Sequence, residues 1–469
     1  MNKIIGREHE IEMLDRCYSS HRAEFIVVSG RRRIGKTYLI NALYGEQFAF
    51  SYVGGHNLSI RQQLRKFALA LSSFSHQELQ AFSDWFEAFE ALQTYLSQLP
   101  HKEGKRKLVF LDEMPWIDNK TSDFVAALEY FWNSWGAQQN DLMFIASGSA
   151  TSWLNDKLTE NKGGLHARIT KQIVLTPFTL KETEQYLDFI GANWDRYQII
   201  QAYMALGGVP FYLSLIDPHL SMAQNIDQLF FSPSAQMQLE FDELYYALFS
   251  GAERYISVVK ALAEKLNGLT RSELMEQTHL PNPTLGRLLK NLGKSNFITC
   301  YQQMGHTTRN NIYRLTDLYT LFYFHFVENN HTNDSAWWTH NMLTPKVMAW
   351  QGFSFELVCL LHLNEIKKAL GISGISTSAF CWRAENAQID LVIDRADRLV
   401  NLCEMKFSTE LYAIERNYAD KIRERVAIFR EKTKCKKGIQ TTFVTTYGVA
   451  NGKHSGVAQS QITMDDLFM

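Results

Sequence analysis

The chain has 469 residues, of which 46% are hydrophobic and 21% charged. At roughly 100–200 residues per domain this length predicts two to four domains, and so much apolar material excludes a disordered chain. The 48 Lys and Arg against 49 Asp and Glu give a formal net charge of -1, which on its face argues against a polyanionic partner, although a sum over several domains can hide opposite local balances.

The first fourteen residues, MNKIIGREHEIEML, are charged throughout and lack the apolar stretch of a signal peptide. No run of about 18 apolar residues is present to cross a membrane. Cys17, Cys300, Cys359, Cys381, Cys403 and Cys435 are scattered, with no CxxC pair, so neither a zinc ribbon nor a disulfide scaffold is expected. The predicted setting is cytoplasmic, with no membrane partner.

Phe25 to Gly30 is a short apolar run ending at glycine, the form of a buried parallel strand; Leu108 to Asp112 and Leu142 to Ser147 repeat it. Helical segments separate these runs, so a parallel α/β sheet is predicted over residues 1–178. Residues 179–245 read as helices, with Gly207-Gly208-Val209-Pro210 among them. Over 246–325 the pattern is three helices and a hairpin, the winged-helix order. Thr270 and Glu273 are spaced as a capping box at the second of these helices. A polar linker around Glu328 to Asp334 leads to residues 345–469, which read as a small α/β domain of helix, strands, helix and strand.

Gly30-Arg31-Arg32-Arg33-Ile34-Gly35-Lys36-Thr37 matches GxxxxGK[ST] in full, and it follows a predicted strand and opens a helix, the context this motif requires. Gly30, Arg33 and Gly35 belong to a loop whose N–H groups cradle phosphates. Lys36 is expected at the β/γ-phosphates of ATP and the Thr37 hydroxyl on Mg²⁺. Asp112, at the tip of the second strand, is expected to hold Mg²⁺ through water, and Glu113 to act as general base on the attacking water. Ser147-Gly148-Ser149 ends the next strand, with Ser147 placed to sense nucleotide. Arg168 stands just before the following strand, as a finger toward a neighbouring subunit's γ-phosphate or as a plain surface arginine. The finger implies a homo-oligomer.

The N-terminal half resembles the archaeal-type ATPases of the AAA+/STAND region of the P-loop superfamily. The resemblance rests on Ile5 to Glu10, the Arg-rich P-loop, Phe110 to Glu113, Gly148-Ser149, Arg168-Ile169 with Pro177-Phe178, and Gly207 to Leu213. It implies a helical lid containing the last motif, which carries no arginine here for a second sensor contact. The fold class expected is thus an α/β multidomain chain: a P-loop parallel-sheet ATPase with helical lid, a winged-helix domain and a small restriction-endonuclease-like α/β domain.

In the winged helix, Pro283 to Leu292 is the candidate recognition helix. Arg287, Lys290, Lys294 and the wing residue Arg309 are candidates for phosphate contacts, and Asn291 for a base edge. The other reading of this element is protein–protein packing inside a switch ATPase. In the C-terminal domain, Glu404 and Lys406 lie two apart in a predicted strand and so share a face. A turn near Asp397 sets Asp390 opposite Glu404. Carboxylates so placed, with Glu356 from the preceding helix, suit Mg²⁺ or Mn²⁺, and Lys406 would then orient water for attack on a phosphodiester. This is the PD-(D/E)XK nuclease arrangement, and the family resembled carries a related domain at its C-terminus.

Two functions are implied. One is an ATP-hydrolysing protein coupled to Mg²⁺-dependent DNA cleavage in genome defence or DNA processing. The other is a non-cleaving ATPase switch that binds DNA or a protein partner. A DNA-moving motor ranks below both, for want of a pore-loop signature. The charge supports a DNA partner once divided: residues 1–250 hold 22 basic against 28 acidic side chains, and 251–469 hold 26 against 21.

Overall fold

Strands β1 (Glu24–Ser29), β2 (Phe48–Val53), β3 (Lys107–Asp112), β4 (Leu142–Gly148) and β5 (Lys171–Val174) form a parallel sheet in the order β2-β3-β4-β1-β5. The computed structural model describes residues 3–118, 121–149, 153, 166–304, 310–385 and 387–469. The chain divides into two units, Met1–Thr176 and Pro177–Met469; the expected limit of the first was 178.

In the first unit β1 and β4 are buried along their whole length. Alternate residues serve two cores. Phe25, Val27, Val109, Leu111, Phe144 and Ala146 join one cluster, while Ile26, Val28, Leu108, Phe110, Met143 and Ile145 join the other. A strand covered on both faces must be apolar at every position, which is why these runs were legible. β2 was not. Its sequence FAFSYV sits at the sheet edge, half-exposed and broken by Ser51, so it lacks the continuous apolar run.

The second unit opens with helices Leu180–Ile190, Arg196–Leu206, Met222–Phe230 and Gln236–Leu248. Helices Ala252–Glu264, Arg271–Thr278 and Asn282–Lys294 come next, with β6 (Leu269–Thr270), β7 (Ile298–Tyr301) and β8 (Ile312–Leu315) in the order β6-β8-β7. The Thr270–Glu273 capping box forms. A second sheet, β13-β12-β11-β10-β9, is built from β9 (Thr377–Ala384), β10 (Ala387–Arg395), β11 (Leu399–Lys406), β12 (Gly438–Thr445) and β13 (Ser460–Thr463). It is mixed: β10 runs antiparallel to both β9 and β11, while β12 and β13 continue parallel to β11. A large apolar core draws residues from Phe178 to Phe468, and two smaller clusters, around Trp382 and Phe429 and around Ile422 and Phe443, lie against the second sheet.

Edge strand β9 does not face solvent unaided. Cys381 bridges Gln303, donates its N–H to Gln302 at 3.2 Å and accepts from the Met304 N–H at 3.2 Å. The segment after β7 therefore covers part of the free edge of the C-terminal sheet. Arg383 adds a bond to the Asn267 carbonyl at 2.9 Å. Among the described residues no helix is long and apolar enough to cross a membrane.

His362 ties distant segments of this unit. Its Nε2 accepts from the Leu180 N–H at 2.9 Å, at the start of a helix, and its Nδ1 lies 2.8 Å from the Val358 carbonyl. Only the Nδ1–H tautomer satisfies both contacts. Burial holds the ring's pKa below its ordinary 6.5, with the Val358 carbonyl opposing. A depressed folded pKa gives stability that is complete above the unfolded value and is lost as pH falls through the folded one. H362Q should therefore cost about 1–2 kcal/mol at pH 7.5, and its deficit should shrink toward pH 5 in chemical denaturation. A deficit that stays constant over that range contradicts the neutral-ring assignment.

Candidate functional site

The C-terminal ends of adjacent strands β3, β4 and β1 face one edge of the parallel sheet and build the first site. Gly30 leaves β1 at φ 147°, and a Cβ there would stand 2.4 Å from both the Leu175 carbonyl oxygen and Ile34 Cδ1. Only glycine fits. Arg33 turns the loop at φ 74°. Gly35 precedes helix Lys36–Tyr44 at φ 87°, and no side chain caps that helix. Its first N–H groups are thus left to an anion, as a phosphate cradle requires. Arg7 of the opening motif is buried and donates to the Ile34 carbonyl at 3.3 Å.

Lys36 is 5% exposed and donates to the carbonyls of Gly30 and Arg31 at 3.0 Å each and to Ser149 Oγ at 3.2 Å. Burial pulls its pKa below the usual lysine value, while Glu113 and Asp112 oppose that fall. Asp112, 1% exposed, accepts from Thr37 Oγ1 at 2.6 Å on one oxygen, and from Ser147 Oγ and the Glu113 N–H on the other. Glu113, in left-handed backbone at φ 50°, accepts from the Ser149 N–H at 3.0 Å and from Ser149 Oγ. The adjoining Thr37 hydroxyl and Asp112 carboxylate are hard oxygen donors and fit Mg²⁺.

The sensor position therefore divides. Ser147, expected to face nucleotide, is fully buried against Asp112, whereas Ser149 links Lys36 to Glu113. The strand order explains this: β4 lies between β1 and β3, so its tip reaches both. Gln63 was missed altogether. It is fully buried and donates to the carbonyls of Gly55 at 2.7 Å and Trp116 at 2.8 Å, bracing the turn after Glu113. No local motif marks it. Arg168 is exposed, in the single turn His166–Arg168 before β5.

Residues 4–216 match the family described as an ATPase domain predominantly from Archaea. This stretch is an archaeal-type ATPase domain. A similarity reaching well beyond the ATPase domain links the chain to the uncharacterized protein MJECL04 of Methanocaldococcus jannaschii, 23% identical over 410 residues, covering 86% of this chain and 87% of that one. Among solved structures, the Walker-type ATPase paby2304 of Pyrococcus abyssi is 19% identical with a TM-score of 0.48, covering 69% of this chain and 96% of that chain. The ORC2 protein of Aeropyrum pernix is 13% identical with a TM-score of 0.41, covering 69% and 94%.

Beyond the ATPase domain, β10 and β11 bring the C-terminal constellation together in part. Leu391 pairs with Cys403, so Asp390 and Glu404 are the next opposed positions. Each carboxylate is already engaged. Glu404 accepts from Arg425 at 2.8 Å and from the Tyr418 hydroxyl, with the Lys406 ammonium at 2.8 Å. Asp390 takes Gln388 at 2.8 Å and the Arg314 guanidinium at 3.3 Å. Arg314, from β8 of the three-stranded sheet, is 3% exposed and also lies 3.8 Å from Glu356. Burial opposes the charge on Lys406, yet Glu404 and Tyr418 outweigh it and hold that ammonium above its usual value.

Glu356, Asp390 and Glu404, expected as metal ligands, do not form a metal-holding group: among the described residues no cluster of three or more His, Cys, Asp or Glu could hold an ion. Cations from the chain itself take up the charge. The residues as arranged do not fit Mg²⁺ or Mn²⁺. The winged-helix candidates also divide. Arg287 and Lys290 are exposed and Lys294 half-buried, but Asn291, expected at a base edge, donates to the Tyr255 hydroxyl at 2.8 Å and is turned into the fold. Arg309 lies outside the described residues.

Burial and the neighbouring Asp390 push the Glu356 pKa up to about 8, despite Arg314 and Lys406. A carboxyl with a raised folded pKa contributes stability that is complete below pH 4.5 and is lost as pH rises through the folded value. Denaturation from pH 5 to 9 should therefore show wild type losing stability relative to E356Q. If the two curves stay parallel, the Glu356 carboxyl is charged throughout.

Proposed function

We propose that the protein is a nucleotide-driven switch, in which ATP binding and hydrolysis by the N-terminal domain control a C-terminal body that does not cleave nucleic acid in its ion-paired state. The bond pattern joining Lys36, Ser149 and Glu113 carries the ATPase half of this reading. Without phosphate, Lys36 spends its three protons on two carbonyls and Ser149 Oγ. A γ-phosphate at the loop is the stronger acceptor for that ammonium. Drawing Lys36 away relieves Ser149 of one contact and lets its hydroxyl and N–H aim Glu113 at a water. Glu113 then takes the proton of the attacking water. Mg²⁺ held by Thr37 and, through water, by Asp112 would neutralise developing phosphate charge. Arg168, exposed beside β5, is left for a neighbouring copy.

The second reading, Mg²⁺- or Mn²⁺-dependent DNA cleavage, is favoured by one observation: Glu404 and Lys406 alternate on one face of β11, with Asp390 across on β10. Against it stand the Arg314, Arg425 and Lys406 contacts that already neutralise the carboxylates.

ATP turnover should fall by about 10²-fold or more in E113Q and should be lost in K36A. In S149A, kcat should drop about tenfold with KM within about threefold, the mark of a positioning group. Undiminished turnover in E113Q would remove the general-base assignment. In parallel, wild type should leave single- and double-stranded DNA intact with either metal. Cleavage by wild type but not by E404A overturns the non-cleaving reading and establishes the second.

A further inference from the structure

The second sheet carries a basic pocket that neither the nucleotide site nor the carboxylate pair accounts for. Helix Arg416–Thr433 and the segments around 439–441 and 453–459 border an open space of about 350 Å³, within the range of small-ligand sites. Arg423, Arg430, Lys453 and His454 line it, and no Asp or Glu does. Arg423 and Arg430 are seven apart and so share a helix face. Arg423 is partly matched by Asp420 at 2.7 Å, outside the pocket. Among the described residues neither Arg430 nor Lys453 has an ion-pair partner. Lys406, Arg425 and Lys437 nearby are each within 3 Å of a carboxylate oxygen, so Arg430 and Lys453 differ from them in being open to an outside anion.

The floor is apolar: Ile422, Val426 and Val457 lie beneath the charged rim. Ile422, Val426 and Thr441 also line a second, smaller cavity that holds Glu404 and Arg425, so these side chains form a wall between the basic pocket and the carboxylate pair. A cationic rim over an apolar floor suits a ligand that joins an anion to a flat, weakly polar body, as a phosphate joined to a sugar and base does. A base reaches such a floor only when unpaired.

We infer that this pocket receives a nucleotide unit of a single-stranded nucleic acid, its phosphate on Arg430 and Lys453 and its base or sugar on Ile422 and Val426. On this account the nucleic-acid contact sits on the C-terminal sheet and not on the recognition helix. The inference goes beyond the switch reading and holds whether or not the strand is cut.

The test is fluorescence anisotropy of a labelled single-stranded oligodeoxynucleotide with the full chain, comparing wild type, R430E/K453E and R287E/K290E, with ATP turnover measured on the same samples. R430E/K453E should weaken binding about tenfold or more at low salt and flatten the slope of log K against log salt by about 1.4, the share of two single-strand phosphate contacts. R287E/K290E should stay within about twofold. Both variants should keep wild-type ATP turnover, which reports an intact fold and also tests the ATPase reading separately. Absence of strand binding by wild type overturns the inference, as does a loss that follows R287E/K290E instead.

Discussion

A lysine ammonium buried to 5% exposure must be fully hydrogen-bonded, because an unpaired buried charge costs several kcal/mol, on the order of the whole stability of a domain. Lys36 meets that demand with two loop carbonyls and Ser149 Oγ, and much of the first unit is arranged around it. The loop must bend so that the Gly30 and Arg31 carbonyls point inward, which places Gly30 where no Cβ fits. β4 must lie between β1 and β3 so that Ser149 arrives from its tip. Glu113 must turn left-handed to meet the same serine. The site is held ready by bonds that a phosphate can replace, so binding exchanges partners and does not create a charge pair from nothing.

The second unit answers the same demand differently. Arg314, at 3% exposure, is held by the Leu266 carbonyl at 3.3 Å and by Asp390 and Glu356. There an internal guanidinium stands among the carboxylates that a divalent cation would need. Removing one partner of such a buried pair is costly because it strands the other, so the loss of either Arg314 or Asp390 would loosen β8 from β10. The bridge from Gln303 to Cys381 of β9 adds to this. The three-stranded sheet and the C-terminal sheet consequently share part of one apolar core and an ion pair, and a nucleotide signal that reached one would move both.

How legible each feature was in the sequence depends on distance along the chain. The phosphate loop is one contiguous motif, and its strands are buried on both faces, so motif and apolar run sufficed. The β10–β11 opposition of Asp390 and Glu404 was also legible, since a short hairpin fixes register. β2 was hidden because an edge strand need not be apolar throughout. Gln63, Arg314 and Arg425 were hidden because their roles depend on partners 53, 76 and 21 residues away. For the last a faint signal existed: Tyr418 and Arg425, seven apart on one helix, both face Glu404. Asn291 shows the reverse error, where a polar residue on a recognition helix serves that fold's own Tyr255.

This distinction between a charge that is present and one that is available also changes the meaning of the net charge. Residues 251–469 carry 26 basic against 21 acidic side chains, a modest excess that suggests a weakly basic surface. Yet the structure commits Arg314, Lys406, Arg425 and Lys437 to carboxylates within the same chain, and Arg383 to backbone carbonyls. Those cations are paired or neutralised in place and project little field. What attracts an anion is the local remainder, and it is uneven. Around the helix Arg416–Thr433 the pocket side keeps Arg430 and Lys453 while the Glu404 side spends Arg425. A polyanion would therefore be drawn by such unspent charges, which a whole-chain sum of -1 conceals.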